Sequence, residues 1–224
     1  MDWVDELKRV PKRTYVGLIS MFVLLIGASW LFIELAEGVL ENEKFLIDQY
    51  VRGWLESNGV QLLDEIFAWV TELGSVTFIT IGSFMLAISL YFLYERWKWR
   101  VLYFAIAMIG ISILTTLLKE VFERRRPNIL EEHDGTGFSF PSGHSTGPMV
   151  FYGFMIYLII RSRARHSIKW LFGILLSLLI LAIGISRIYL GVHYATDVMA
   201  GHLLGFAWLV SCVSVLEFTL WRRH

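Results

Sequence analysis

Apolar residues run along this chain in long blocks rather than in strict alternation. Residues 15–35, 74–94, 101–118, 145–160, 170–185 and 197–221 form six such blocks. At a helical rise of about 1.5 Å per residue, blocks of this kind predict membrane-spanning helices. Between the first and second blocks the pattern changes. Phe45, Leu46, Val51, Trp54 and Leu55 recur at near-helical spacing, as do Leu62, Leu63, Ile66, Phe67 and Val70, with Asn58-Gly59 separating the two sets. The stretch is too polar to span, and it predicts two short amphipathic helices with Trp54 and Trp69 in the headgroup layer. The expected fold is all-α: a polytopic membrane protein of six transmembrane helices, with short amphipathic helices between the first and second spans. No internal repeat or linker divides it, so residues 1–224 are read as one domain.

Composition strengthens this picture. The chain is 56% hydrophobic and only 18% charged, with a mean hydropathy of +0.58, against about 25% charged for a soluble domain. The first apolar block continues through Trp30-Leu31-Phe32-Ile33. It is longer than a signal-peptide core of roughly 7–15 residues, so a retained anchor is expected. Cys212 is the single cysteine, which excludes an intrachain disulfide. Formal net charge is zero, so only the placement of charge informs. Of the 20 Lys and Arg, 13 lie at the two termini and in the turns at 95–100 and 161–169, all on one side of a six-span topology. The positive-inside rule then puts both termini in the cytoplasm and the connections 119–143 and 186–196 on the extracytoplasmic side. Five of the seven remaining cations sit in those two connections, against the rule, and need another reason to be there.

Three segments on that side carry candidate chemistry. In Lys119-Glu120-Val121-Phe122-Glu123-Arg124-Arg125-Arg126-Pro127, a continued helix would point Lys119 and Arg126 the same way, about two turns apart, with Pro127 ending it. Arg124 and Arg125 read as headgroup anchors. In Pro141-Ser142-Gly143-His144, a helix start offers free N–H groups, a hydroxyl and a glycine that lets backbone approach an anion. Ser142 alone could be an ordinary N-cap. In Ser186-Arg187 through His193 to Asp197, a helix opening at 192 would set His193 and Asp197 one turn apart. The carboxylate could fix the imidazole tautomer and leave Nε2 with a lone pair, or the two could simply satisfy each other at a helix end. Arg187 adds a planar fork suited to phosphate oxygens. His133, His166 and His224 read as bystanders, and so, first of all, does His202, although it stands close enough to Asp197 in sequence to touch the site; Tyr189 and Tyr194 could line the pocket or merely the membrane interface.

Lys-x6-Arg-Pro, Pro-Ser-Gly-His and Ser-Arg-x5-His-x3-Asp, in this order, resemble the three signature motifs of the type 2 phosphatidic acid phosphatase family, with every motif position filled. The motifs cover about 119–197, within a motif-bearing core of about 97–221. The resemblance implies a phosphoric monoester or diphosphate hydrolase. His193 would be the nucleophile that becomes a phosphohistidine, Asp197 its orienter, and His144 the acid and then the base. Lys119, Arg126, Arg187, Ser142 and Gly143 would hold the phosphate. Three cations would do the work of a metal, so no metal or other cofactor is implied. The substrate would be a membrane lipid phosphate, namely undecaprenyl pyrophosphate, phosphatidylglycerol phosphate or phosphatidic acid. It would be met in the lipid bilayer of a bacterial plasma membrane on the extracytoplasmic side, with no nucleic acid involved. A lipid-phosphate binder or translocator using the same cations without turnover is the alternative. A vanadate haloperoxidase fits a membrane chain poorly, and a metal hydrolase would be inhibited by chelator.

Overall fold

The computed structural model describes residues 12–58, 61–127 and 137–222, and among them the secondary structure is helical, without a strand. The helices are α1 (Lys12–Leu40), α2 (Leu46–Asn58), α3 (Gln61–Glu72), α4 (Val76–Leu93), α5 (Trp97–Phe122), α6 (Gly143–Arg161), α7 (His166–Tyr189) and α8 (Ala195–Arg222). Lys8, Arg9, Gly59, His133-Asp134, Arg223 and His224 lie outside the described residues.

Five helices, α1 from Ile19 onward together with α4, α5, α7 and α8, are long and apolar enough to cross a membrane. Their outward faces carry large apolar side chains such as Phe22, Trp30, Phe84, Phe92 and Leu171, all exposed, as lipid-facing positions should be. The expected fourth span, α6, is not among the five, because its first two turns read Gly143-His144-Ser145-Thr146-Gly147-Pro148. Protein takes the place of lipid around it. α6 packs against α4, α5, α7 and α8, and His144, Ser145, Thr146, Val150 and Phe154 are buried. Polar groups at that depth are tolerated when other helices surround them.

The closeness of α6 to α8 rests on Gly201 and Gly205, four residues apart on one face of α8. A Cβ at Gly201 would lie 2.8 Å from the Ser142 carbonyl oxygen, and one at Gly205 would lie 2.9 Å from Met149 Cβ. Small residues at this spacing let helix backbones approach in a membrane. Here the approach brings the first turns of both helices into register, and the Ser142 N–H donates to the Asp197 carbonyl at 3.1 Å.

α1 runs to Leu40, further than the apolar block predicts. The extra turn has a packing reason. Ala36 and Val39 form a small core with Phe140 and Ala200, flanked by Phe32, Leu35, Phe45 and Phe122. Phe140 is fully buried, its ring 4.9 Å from that of Phe122, and it anchors the approach to α6. α2 and α3 are the two expected amphipathic helices, with Trp54 and Trp69 exposed. Their inner faces pack on α8 and α7 respectively, burying Asp48 and Thr71.

Candidate active site

α5 stops short of Arg126. Glu123 is its C-cap, in the left-handed region at φ 45°, with its N–H bonded to the Lys119 carbonyl. Arg124–Pro127 is therefore non-helical, and the expectation that Lys119 and Arg126 share a helix face is corrected. The turned segment is held instead by backbone pairing across the connection, where the Ser139 N–H donates to the Arg124 carbonyl at 2.8 Å. Arg126 reaches the site by this route, donating from Nε to the Gly137 carbonyl at 3.1 Å and from Nη1 to the Val192 carbonyl at 2.9 Å.

At the start of α6, Ser142 occupies the N-cap position but makes no side-chain capping bond. Its buried Oγ has no hydrogen-bond partner among the described residues. The ordinary N-cap reading is thus set aside, and an orphaned buried hydroxyl at a helix N-terminus is a donor awaiting an acceptor. A Cβ placed on Gly143 would meet nothing within 4 Å, so this backbone faces open space. His144, in the same turn, is buried, and its charged or titratable neighbours are Arg187, His193, Lys119 and Arg126.

The end of α7 and the turn after it supply the third part. Gly191, at φ 70°, reverses the chain where a side chain would be strained. The N–H groups of Val192 and His193 then both return to the Arg187 carbonyl at 3.2 Å. Arg187 itself is 1% exposed, with Nη1 donating to Thr71 Oγ1 of α3 at 2.9 Å.

His193 precedes α8 rather than lying on it, since α8 begins at Ala195. The predicted pair nevertheless forms, with Nδ1 3.3 Å from Asp197 Oδ2. On the other edge of the ring, Nε2 lies 3.0 Å from Arg126 Nη1. A guanidinium can only donate, so Nε2 carries the lone pair and Nδ1 carries the proton. Burial holds the His193 pKa down at about 4, against the opposing pull of the Asp197 hydrogen bond and charge, and Arg126 and Arg187 lower it further. The imidazole is therefore neutral at ordinary pH, with its Nε2 lone pair turned toward Arg126.

Behind His193 stand two residues that the sequence did not single out for the site. Asp197 Oδ1 accepts from Arg124 Nη1, and Arg124 Nη2 donates to Asp48 Oδ2 at 2.9 Å. Arg124 is thus no headgroup anchor. Its partners lie on α2 and α8, and its guanidinium sits 4.3 Å from the centre of the Tyr194 ring. Arg125 is exposed.

A cavity of about 1060 Å³ has Lys119, Arg126, Gly143, His144 and His193 among the residues lining it. Ser142 and Arg187 are buried just behind this wall. From the cluster the cavity extends between α4 and α5 as far as Ala87 and Val101. Along α5 the distance from Lys119 to Val101 is about 27 Å, most of a hydrocarbon core. Tyr189 and Tyr194 line a second, smaller cavity beneath α2, which His193 and Asp48 also border. His202 packs against Gly184, away from both, and His166 is exposed at the start of α7. Among the described residues no group of three or more His, Cys, Asp or Glu side chains is arranged to hold a metal ion.

Comparisons with known proteins point to one family. The family model of the PAP2 superfamily matches residues 100–221. Phosphatidylglycerophosphatase B of Bacillus subtilis is 31% identical over 147 residues, covering 64% of this chain and 70% of that protein. An undecaprenyl-diphosphatase of Sulfolobus acidocaldarius is 32% identical over 111 residues, 49% of each chain, so the match spans about half of that relative. Among solved structures, the transmembrane PAP2-type phosphatidylglycerolphosphate phosphatase of Bacillus subtilis superposes with a TM-score of 0.76 at 26% identity, covering 86% of this chain and 96% of the other. With the motif residues gathered around one cavity at the end of a membrane-embedded helical bundle, the chain belongs to the PAP2 superfamily.

Proposed function

We propose that this chain hydrolyses the terminal phosphate of a membrane lipid through a phosphohistidine, without a metal ion. One observation carries the reading. A single cavity joins a cationic, histidine-bearing end to a channel between α4 and α5 that is mainly apolar, with Ser and Thr hydroxyls among its lining. A phosphate can be held at one end while its hydrocarbon tail stays between membrane helices.

In the first step His193 Nε2 attacks phosphorus in line, forming the P–N bond as the P–O bond to the lipid breaks. His144 gives its proton to the leaving oxygen. In the second step His144 takes a proton from water, whose oxygen attacks phosphorus, and the P–N bond breaks to return neutral His193. Asp197 holds the tautomer and balances the imidazolium formed in between. Lys119, Arg126 and Arg187, with Ser142 Oγ and the Gly143 N–H, stabilise the non-bridging oxygens as charge redistributes. Arg126 Nη1 lies 3.0 Å from Nε2, so attack requires this guanidinium to shift from the ring nitrogen to a phosphate oxygen.

The named relatives make phosphatidylglycerol phosphate and undecaprenyl diphosphate the first substrates to try, with phosphatidic acid third. The uneven placement of Lys and Arg along the chain supports a site on the extracytoplasmic face with both termini in the cytoplasm, and a sequence without internal repeat or linker supports residues 1–224 working as one domain. The test is phosphate release from this panel by purified protein in detergent. Wild type turns over at least one member, and His193→Ala loses about four orders of magnitude or more in kcat while still binding lipid. Wild type that binds these lipids and turns over none would make the chain a binder or translocator.

A further inference from the structure

The network behind His193 draws on Asp48, outside all three motifs, and on Arg124 and Thr196, at unspecified positions within two of them. Asp48, in the first turn of α2, is 8% exposed. Its Oδ1 accepts from the Thr196 N–H at 2.9 Å, and its Oδ2 accepts from Thr196 Oγ1 at 2.7 Å and from Arg124 Nη2 at 2.9 Å. Arg124 Nη1 donates to Thr196 Oγ1 at 2.7 Å and to Asp197 Oδ1. That leaves Asp197 Oδ2 for the Tyr194 N–H, at 2.9 Å, and for His193 Nδ1. The two oxygens of Asp197 are thus divided, one held from behind by the guanidinium and one turned to the imidazole.

We propose that Asp48 and Arg124 are positioning residues for the reaction, through which surface helix α2 fixes the orientation of Asp197 and the charge behind His193. The inference rests on the phosphohistidine reading above and concerns the step in which His193 becomes cationic.

Charge counting shows why both members are needed. Asp48 and Asp197 carry two negative charges and Arg124 one positive, so one net negative charge stands behind the neutral imidazole. It is balanced when phosphorylation makes the ring cationic. Without Asp48, Arg124 alone would cancel Asp197 and no net negative charge would stand behind the new cation. Without Arg124, two carboxylates would face each other in a buried site and repel, and Asp197 Oδ1 would lose its anchor. A planar fork bridges two carboxylates at once, which an ammonium cannot do from one position.

The test measures kcat, KM and inhibition by orthovanadate for full-length Asp48→Asn, Arg124→Gln and Arg124→Lys, each with its thermal unfolding midpoint. Asp48→Asn is then repeated in an Asp197→Asn background. Outer-shell partners that orient metal-ligating histidines are worth about tenfold to hundredfold, and the same orienting role is assigned to Asp48 and Arg124 here. The expected result is a loss of that size in kcat for Asp48→Asn and Arg124→Gln. KM stays within about twofold, because the front of the cavity is untouched, while inhibition by orthovanadate, which bonds the same Nε2 as a mimic of the transition state, weakens by a factor similar to the loss in kcat. Arg124→Lys recovers part of the loss. In the Asp197→Asn background Asp48→Asn changes kcat by less than about twofold, since the group it acts through is already disabled. If Arg124→Gln does not fold, the near-isosteric Asp48→Asn decides alone.

The positioning role is overturned if wild type turns over and both single variants keep kcat within about twofold. It is equally overturned if Asp48→Asn costs the same factor with and without Asp197, or raises KM alone. Absence of turnover by wild type, or turnover that survives His193→Ala, instead overturns the phosphohistidine reading on which it stands.

Discussion

The two sides of His193 are built differently. On the cavity side, Ser142 Oγ is buried without a partner among the described residues, and Gly143 faces open space. On the rear side every oxygen of Asp48 and Asp197 accepts at least one hydrogen bond. A fully satisfied buried network is rigid and specifies one geometry, whereas an unsatisfied buried donor marks where a ligand completes the structure. Lys119, Arg126, Ser142, Gly143 and His144 supply the open side, and Asp197 with Arg124 and Asp48 of α2 supplies the closed one. Arg187 stands between the two arrangements, near both histidines and tied to Thr71 from behind.

Arg187→Ala breaks the open side most severely. Removing one preorganised donor from a developing oxyanion costs about 10²–10³ in kcat, which steady-state assays on the responsive lipid will show. Gly143→Ala sharpens the contrast further. No protein atom lies within 4 Å of the added Cβ, so the unfolding midpoint stays at the wild-type value. The methyl group occupies space meant for the anion, and kcat/KM falls about tenfold. A loss of stability with unchanged kinetics would place the phosphate elsewhere.

Acidification probes the ring between the two sides. The folded His193 pKa is about 4 and its ordinary value is 6.5. Between these values the unfolded chain binds a proton that the folded chain does not. The contribution of His193 to stability is therefore complete above about 6.5 and is lost as pH falls toward 4. The difference in unfolding midpoint between pH 7 and pH 4.5 should shrink in His193→Gln, and an unchanged difference would show that the imidazole is not buried neutral. The smallest expected effect is that of EDTA, which should leave turnover by wild type unchanged; loss of activity restored by added Mg²⁺ would assign the neutralising charge to a metal.

The legible parts of this molecule were those encoded locally. Six long apolar blocks announced the long helices, and the alternation of Leu62, Leu63, Ile66, Phe67 and Val70 with polar residues announced α3. Lys119, Arg126, His144, Arg187 and His193 stood out because ionisable groups beside apolar blocks need a purpose. Local pattern misleads where a tertiary contact overrides it. Nothing at Glu123 signals a left-handed cap, so a helix drawn through to Arg126 was the natural extension. Arg124 looked like a headgroup anchor because its partner Asp48 is 76 positions away. Asp48 looked like any acid on an amphipathic helix. Long-range polar pairs of this kind leave no periodic trace.

The central claim is that His193 carries the phosphoryl group. It is tested most directly by mixing wild-type protein with a lipid labelled in its terminal phosphate, quenching in alkali within one turnover and mapping the label. The account predicts base-stable, acid-labile label on the peptide containing His193, and none in His193→Ala. Rapid turnover with no label at His193, or label at His144 instead, would contradict it.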